Sequence, residues 1–185
     1  MSTHDVNQAL LAAGASLLLI IDMQEKLLPA IRETDALRGR VARLAQAARL
    51  LSVPVWATEH WSQKIGPTHA DLLPHIDRTV AKTHFNACRE AAFLSRWPVG
   101  RTRVLLAGTE AHICVLQTGL GLAQAGYEPV LVADGIGSRR ESDRLAACER
   151  WRRYGLEIVT SEMALYEWLE TPAHPAFRDV LALVK

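Results

Sequence analysis

The sequence predicts an α/β fold with a six-stranded, mostly parallel sheet at its centre. Two observations predict it: short runs rich in valine, isoleucine and leucine recur along the chain, and stretches with the apolar period of an amphipathic helix lie between them. Such runs are typical of parallel strands that crossover helices cover on both faces. Because 185 residues are too few for two domains that each have a hydrophobic core of their own, we expect residues 1–185 to form a single domain.

The predicted strands are six short apolar runs. The first, residues 16–21, stops at Asp22 and is far shorter than the roughly 20 residues that cross a bilayer. The others are residues 53–57, 78–81, 103–107, 129–133 and 157–160. We therefore expect no transmembrane segment and no membrane partner.

The predicted helices follow from apolar periodicity and from their end signals. In residues 34–51 one face is apolar and arginines lie between its members, and Asp35 is a candidate cap for the start of this helix. Residues 111–125 are small and apolar nearly all round, which predicts a buried helix that ends at a left-handed Gly126. The remaining helices are residues 142–154, 161–169 with Ser161 as N-cap, and 177–184.

A long non-periodic stretch, residues 59–76, separates the second and third strands. Loops of this length in compact domains are usually functional or mobile, so this segment is the candidate lid of a binding site.

Composition and charge exclude several function classes. The formal net charge is +1, and the arginines of residues 139–140 and 150–153 are interleaved with acidic residues, which favours solvated helix faces over a nucleic-acid surface. The cysteines are Cys88, Cys114 and Cys148; they form no CxxC pair, and no secretory signal is evident. We expect a reduced, cytoplasmic setting.

Three reactive residues fall near the carboxyl ends of predicted strands, where open parallel sheets bind their ligands. Asp22 follows the first strand, Lys82 the third, and Cys114 lies a short turn after the fourth. Taken singly, each has an ordinary explanation: a helix-capping carboxylate, an exposed lysine and a small buried thiol. Their convergence at one crevice favours chemistry, and the helix start at Cys114 favours a thiolate.

The motifs around these residues resemble the isochorismatase-like hydrolases. Residues 17–24 (LLLIIDMQ), 82–85 (KTHF) and 108–115 (GTEAHICV) match that family in order and spacing. Residues 58–60 (TEH) and 66–68 (GPT) look like the isochorismatase-domain-containing branch, and residues 134–139 and 160–162 also look like family segments. The resemblance covers nearly the whole chain.

The resemblance implies a three-layer α/β/α Rossmann-like fold, no cofactor, and a catalytic triad of Asp22, Lys82 and Cys114. It also implies a non-proline cis peptide at Thr109-Glu110. The oxyanion hole would then combine the Cys114 N–H with one from residues 110–113. Family members usually form homo-oligomers, and the late helices carry Trp151, Leu165 and Trp168 as a candidate interface.

The expected reaction is attack of Cys114 on the carbonyl of a small amide-type substrate, with a thioester intermediate. Asp22 would take the thiol proton, while the Lys82 cation would favour the thiolate; removing Lys82 should raise the thiol pKa and slow acylation. Relatives that hydrolyse the vinyl ether of isochorismate lack the cysteine, so Cys114 argues against that reaction.

Candidate substrate-pocket residues lie around the strand ends and in the loops that follow: Gln24, Glu59, His60, Trp61, Phe85 and His112. Two residues depart from the family pattern near these contacts: Asn86 stands where family members often carry serine, and Cys88 lies close by outside the triad.

Three other functions stay open at this stage. A nicotinamidase-type amidase would need a metal held by Glu59, His60 and His69, although the spacing differs from that branch and we expect no metal. A non-catalytic scaffold would keep the fold without the reaction. A redox sensor would use Cys114 as an oxidisable thiolate and Cys88 as its resolving partner.

Overall fold

A computed structural model of the chain describes residues 10–184. Within these residues the strands form a single six-stranded sheet in the order β3-β2-β1-β4-β5-β6, and every neighbouring pair is parallel. The chain therefore has the predicted α/β fold. The strand order reverses between β1 and β4, the position at which open sheets of this kind form a crevice.

The element bounds agree with the sequence prediction to within a few residues except in the fifth strand. The strands are β1 Ser16–Ile21, β2 Val55–His60, β3 Arg78–Lys82, β4 Arg103–Thr109, β5 Glu128–Gly137 and β6 Glu157–Val159. The helices are α1 Thr34–Leu50, α2 Ser62–Ile65, α3 Ala91–Leu94, α4 Leu116–Gln124, α5 Glu141–Arg153, α6 Ser161–Leu169 and α7 Phe177–Val184. A π-helical turn, Ala111–Val115, precedes α4, and 3-10 turns lie at Ala13–Ala15, Leu28–Ala30, Leu73–His75 and Ala87–Arg89.

The sheet lies between two helical layers, each with its own apolar core. Every residue of β1 is buried, and its alternate side chains face opposite cores. Leu18 and Ile20 pack with α1, α6 and α7, while Leu17 and Leu19 pack with α4 and α5. The three-layer α/β/α arrangement follows directly from a strand whose side chains are apolar on both faces.

The candidate interface on the late helices is wrong. Trp151, Leu165 and Trp168 are 1%, 4% and 2% exposed, because they pack inward against the sheet. The indole N–H of Trp151 donates to the Glu157 carbonyl oxygen at 2.9 Å, and that of Trp168 donates to Ser16 Oγ at 3.0 Å. Both indole N–H groups are hydrogen-bonded within the chain, and all three side chains are buried, so they offer no surface to a partner.

Both predicted helix caps are also wrong. Helix α1 is preceded by Glu33 without a side-chain cap, and Asp35 lies inside its first turn. At α6 the cap is Thr160, whose hydroxyl accepts from the Met163 N–H, while Ser161 Oγ donates to Asp134 Oδ2. In contrast, Gly126 has the predicted left-handed φ of 87°.

Among residues 10–184 no helix is both long enough and apolar enough to cross a membrane.

Candidate active site at the strand ends

Asp22, Lys82 and Cys114 meet in one buried site at the carboxyl end of the sheet. Asp22 follows β1, Lys82 is the last residue of β3, and Cys114 lies in the π-helical turn after β4. The side chains of Asp22 and Lys82 are both 0% exposed, and Cys114 is 7% exposed. Parallel strands end at the same edge of a sheet, so three positions far apart in sequence become neighbours.

The Asp22 carboxylate is held in place from several sides. Its Oδ2 lies 2.7 Å from Lys82 Nζ, and its Oδ1 accepts a hydrogen bond of 2.6 Å from Thr58 Oγ1 on β2. The backbone is left-handed at Asp22, with φ of 48°, and its carbonyl oxygen accepts from Thr109 Oγ1 at 2.8 Å. Among the described residues, no nitrogen or oxygen donor makes a hydrogen bond to Oδ2, whose 2.7 Å contact with Lys82 Nζ is an ion pair, and the Cys114 thiol is hydrogen-bonded to the carboxylate. This oxygen is therefore available to take a proton.

Lys82 reaches Asp22 across the end of β2. Besides the carboxylate, its ammonium donates to the His84 carbonyl oxygen at 3.2 Å and lies 3.5 Å from His60 Nδ1. An ammonium has no lone pair, so Nδ1 must be the acceptor, and His60 is the neutral Nε2–H tautomer. Burial, followed by the positive charge of Lys82, lowers the pKa of His60, which favours the same neutral form.

The environment of Cys114 favours the protonated thiol. Burial and the negative charge of Asp22 raise its pKa to about 12, while Lys82 acts in the opposite direction by charge and hydrogen bonding. Desolvation and the carboxylate therefore outweigh the lysine, and they also oppose the effect expected of a helix start. The thiol instead stands beside a buried carboxylate able to accept its proton.

The turn that carries Cys114 begins at Glu110. The Thr109-Glu110 peptide is cis, as the family resemblance implied. The Ile113 N–H donates to the Glu110 carbonyl oxygen at 3.0 Å, so it is engaged inside the turn. Of the expected candidates for a second oxyanion donor besides Cys114, only the N–H groups of residues 110–112 remain.

Two predicted pocket residues hold the backbone. Gln24 is fully buried; its amide donates to the carbonyl oxygens of His60 and Gly66 at 3.1 and 2.6 Å, and its Oε1 accepts from the His60 N–H at 2.8 Å. Glu59 Oε1 accepts from the N–H and the hydroxyl of Thr68 at 2.7 and 2.9 Å. These contacts fasten the candidate lid, residues 59–76, to the end of β1 and to itself.

His60, Trp61 and Phe85 form the outer, aromatic part of the site. The rings of His60 and Phe85 are stacked with centroids 5.2 Å apart, and Trp61 and Phe85 are 47% and 50% exposed. A cavity of about 280 Å³ is lined by Trp61, Ser62, Gln63, Ala81, Lys82, Thr83 and Glu90, and neither Asp22 nor Cys114 lines it. Exposed aromatic side chains next to a buried reactive group are suited to hold a small planar ligand.

His112 is placed differently from the other pocket candidates. Its Nδ1 lies 3.0 Å from Ser138 Oγ and its Nε2 lies 4.0 Å from Asp143 Oδ2, so both ring nitrogens face the segment after β5. His112 therefore connects the turn that carries Cys114 to Ser138 and to the first turn of α5.

Sequence reasoning missed Thr58 and Glu90. Thr58 lay within the quoted motif, but its register opposite Ile21 is what brings its hydroxyl to Asp22. Glu90 accepts from the N–H groups of His84 and Thr83 at 3.0 and 2.7 Å and from the His84 ring, contacts that lower its pKa to about 2. No local sequence pattern indicates that Glu90 binds the backbone of a loop six residues earlier in the chain.

The candidate metal ligands of a nicotinamidase-type site, Glu59, His60 and His69, do not form a cluster. His69 Nε2 lies 3.1 Å from Arg38 Nη1, and Glu59 is occupied by Thr68. Within residues 10–184 no three His, Cys, Asp or Glu side chains form a group suited to a metal ion.

Comparison with known proteins identifies the family to which this architecture belongs. A family model described as the isochorismatase domain matches residues 16–163. The human isochorismatase domain-containing protein 2 is 37% identical over 175 residues, which cover 93% of this chain and 84% of that protein. The chain belongs to the isochorismatase family. Its membership supports a hydrolase role, and the resemblance predicted from the motifs is confirmed.

Solved structures of similar fold come from animals and bacteria. The MAR1 ribonuclease of Caenorhabditis elegans superimposes with a TM-score of 0.89 and 30% identity, covering 95% of this isochorismatase-family chain and 92% of that one. YcaC of Escherichia coli, described as an octameric hydrolase of unknown specificity, has a TM-score of 0.85 and 22% identity, with coverage of 95% and 87%. At that identity the second likeness supports the fold alone.

Proposed function

We propose that this protein is a cysteine-nucleophile hydrolase that cleaves a small amide-type substrate through a covalent thioester, with Asp22, Lys82 and Cys114 as its catalytic residues. One observation carries the proposal: a thiol, a carboxylate and an ammonium share one buried site at the switch point of the sheet. Hydrolase-family membership supports the reaction class.

Acylation begins with transfer of the Cys114 thiol proton to the Asp22 carboxylate. The sulfur attacks the substrate carbonyl carbon, and the C=O π electrons move to oxygen, where backbone N–H groups of the turn stabilise the charge. When the intermediate collapses, the C–N bond breaks, and the departing nitrogen takes the proton from Asp22. An amine or ammonia leaves, and the acyl group stays on Cys114.

Deacylation uses the same carboxylate in the reverse sense. Asp22 takes a proton from water as the water oxygen attacks the thioester carbonyl, and the C–S bond breaks on collapse. The sulfur recovers the proton from Asp22, and a carboxylic acid leaves. Lys82 stays charged throughout, which offsets the negative charge that moves between the carboxylate and the sulfur.

The redox-sensor alternative is less well supported. Burial raises the pKa of the Cys88 thiol to about 12, and its sulfur lies 3.9 Å from the Thr118 carbonyl oxygen as a donor. A sensor cysteine is usually exposed and has a low pKa, whereas the thiols of Cys88 and Cys114 both have raised pKa values.

A substrate panel compares the parent protein with Cys114→Ala. The panel holds small amides, carbamates and imides, together with an RNA oligonucleotide because one structural neighbour is described as a ribonuclease. We expect the parent to release amine or ammonia from at least one amide-type compound and Cys114→Ala to release none. Cys88→Ala and Cys148→Ala serve as matched controls and should retain activity within about 3-fold, because these half-buried and buried thiols lie outside the trio and each substitution removes only a sulfur.

Equal turnover by the parent and by Cys114→Ala would exclude the proposal. Cleavage of the oligonucleotide in place of the amides would replace it with phosphodiester chemistry.

A further inference from the structure

Strand β5 extends past its predicted end because it contains a bulge. Leu106 of β4 pairs with Leu131, but Gly108 pairs with Ile136 and Thr109 with Gly137, so β5 inserts extra residues between these pairs. The bulge carbonyl oxygens accept from arginine side chains: Asp134 O from Arg40 at 2.7 Å and Ala133 O from Arg144 at 3.2 Å. Bulges next to reactive sites commonly redirect the following residues.

The redirected residues contact the turn that carries Cys114. Arg139 donates to Glu110 Oε2 twice, from its backbone N–H at 3.0 Å and from Nε at 3.1 Å. Ser138 Oγ lies 3.0 Å from His112 Nδ1. The segment after β5 therefore holds the nucleophile turn at its first and third residues, on either side of Ala111.

The contact at Glu110 is charged and sheltered. The Glu110 side chain is 7% exposed, whereas that of Arg139 is 58% exposed. Without the guanidinium, Glu110 Oε2 keeps only the backbone N–H of its two Arg139 contacts, and a sheltered carboxylate that has lost its cation is drawn outward toward water together with its own backbone. Glu110 is the first residue of the turn, so such a movement would displace the N–H groups that face a substrate oxygen.

We propose that Arg139 is a positioning residue: through the Glu110 carboxylate it fixes the Cys114 turn in the geometry that stabilises the tetrahedral intermediate. The inference rests on the function proposed above. Arg139 is exposed and lies outside the catalytic trio, and its proposed role distinguishes thiol reactivity from oxyanion stabilisation. The reactivity of the thiol depends on Asp22 and Lys82, whereas the stabilisation of an oxyanion depends on the turn and on Arg139.

Two reagents distinguish these properties without knowledge of the natural substrate. Iodoacetamide alkylates a thiolate by direct displacement and forms no oxyanion. The ester p-nitrophenyl acetate acylates the thiol through a tetrahedral intermediate, which needs the oxyanion donors. The burst of p-nitrophenol, corrected with Cys114→Ala, gives the acylation rate, and mass spectrometry of the Cys114 peptide gives the alkylation rate.

For Arg139→Ala we expect the acylation rate to fall about 10-fold and the alkylation rate to stay within about 2-fold. A small displacement of catalytic groups costs up to about 100-fold in rate. The expected loss is smaller than that because the backbone N–H of residue 139 still donates to Glu110. Arg139→Lys should lie between Arg139→Ala and the parent. The neighbouring exposed Arg140→Ala is the matched control and should change neither rate. Once the panel has identified a hydrolysed amide, Arg139→Ala should lower its kcat with KM within about 3-fold.

A double variant tests the route through Glu110. If Arg139 acts on the turn through that carboxylate, Glu110→Gln with Arg139→Ala should acylate no more slowly than Glu110→Gln alone. Independent, multiplying losses would overturn the inference, as would an equal fall in acylation and alkylation for Arg139→Ala or no fall in either. Absence of any Cys114-dependent acylation in the parent would overturn the proposed function itself, and the inference with it.

Discussion

Replacing Asp22 with asparagine is expected to lower kcat on the order of 10³-fold while making Cys114 react faster with iodoacetamide. Turnover falls because the amide side chain cannot take the thiol proton or return it to the leaving nitrogen. Alkylation rises because a negative charge that raises the pKa of Cys114 has been removed. The two effects have opposite signs, which loss of structure alone cannot produce.

The pH dependence of alkylation shows whether Asp22 raises or lowers the pKa of the Cys114 thiol. With a thiol pKa of about 12, the parent's thiolate fraction and its alkylation rate should rise steadily with pH through pH 10. In Asp22→Asn the plot of alkylation rate against pH should move to lower pH. At pH 8 the alkylation rate should rise on the order of 10-fold for each unit by which the thiol pKa falls. Burial, the larger cause of the raised pKa, persists in the variant, so the curve should not reach that of an exposed cysteine.

The matched control for this substitution is Asp35→Asn, whose carboxylate is 83% exposed on α1. It should leave both rates unchanged. Slower alkylation of Asp22→Asn than of the parent would contradict the predicted electrostatic effect, because it would mean that proton transfer to Asp22, and not the charge of Asp22 on the thiol, controls alkylation.

Replacing Lys82 with methionine is expected to reduce turnover and alkylation together, each by at least about 10-fold. Lys82 lowers the pKa of Cys114, so its loss should raise that pKa further and shrink the thiolate fraction at every pH. The variant also leaves the Asp22 carboxylate buried without its cation, which costs about 3–5 kcal/mol of folding free energy when one partner of a buried pair is removed. Urea unfolding followed by circular dichroism gives that loss.

The control is Lys64→Met, an exposed lysine whose ammonium lies over the Trp61 ring. The double variant Asp22→Asn with Lys82→Met removes both charges and should recover part of the lost stability without recovering activity. Faster alkylation in Lys82→Met would contradict the role of the ammonium, since it would show that Lys82 disfavours the thiolate.

Much of the fold could be predicted because buried strands are visible as apolar runs. Strand β1 and helix α6 have the predicted bounds. The errors share a cause: they depend on contacts between distant segments. The predicted fifth strand ends at Ala133, yet in the structure the strand continues through a bulge to Gly137, and side chains of Arg40 and Arg144 donate to the bulge carbonyl oxygens.

The trio at the site could be predicted from strand-end positions and family motifs, but its electrostatics could not. The helix start at Cys114 favours a thiolate, but burial and the charge of Asp22 raise the pKa of that thiol, and neither effect can be recognised in the sequence. The roles of Gln24 and Glu59 were likewise hidden, because a polar residue beside a strand end has the same sequence pattern whether it faces a ligand or the backbone. Trp151 and Trp168 show the same ambiguity between core and interface.

The most direct test of the covalent mechanism is rapid-quench mass spectrometry on the parent protein with the amide that it hydrolyses fastest. The account predicts that, within the first turnover, the Cys114 peptide gains the mass of the acyl group and that this adduct disappears at the rate of deacylation. Product formation with no adduct on Cys114 at any time point, or with the acyl group on Cys88 instead, would contradict it.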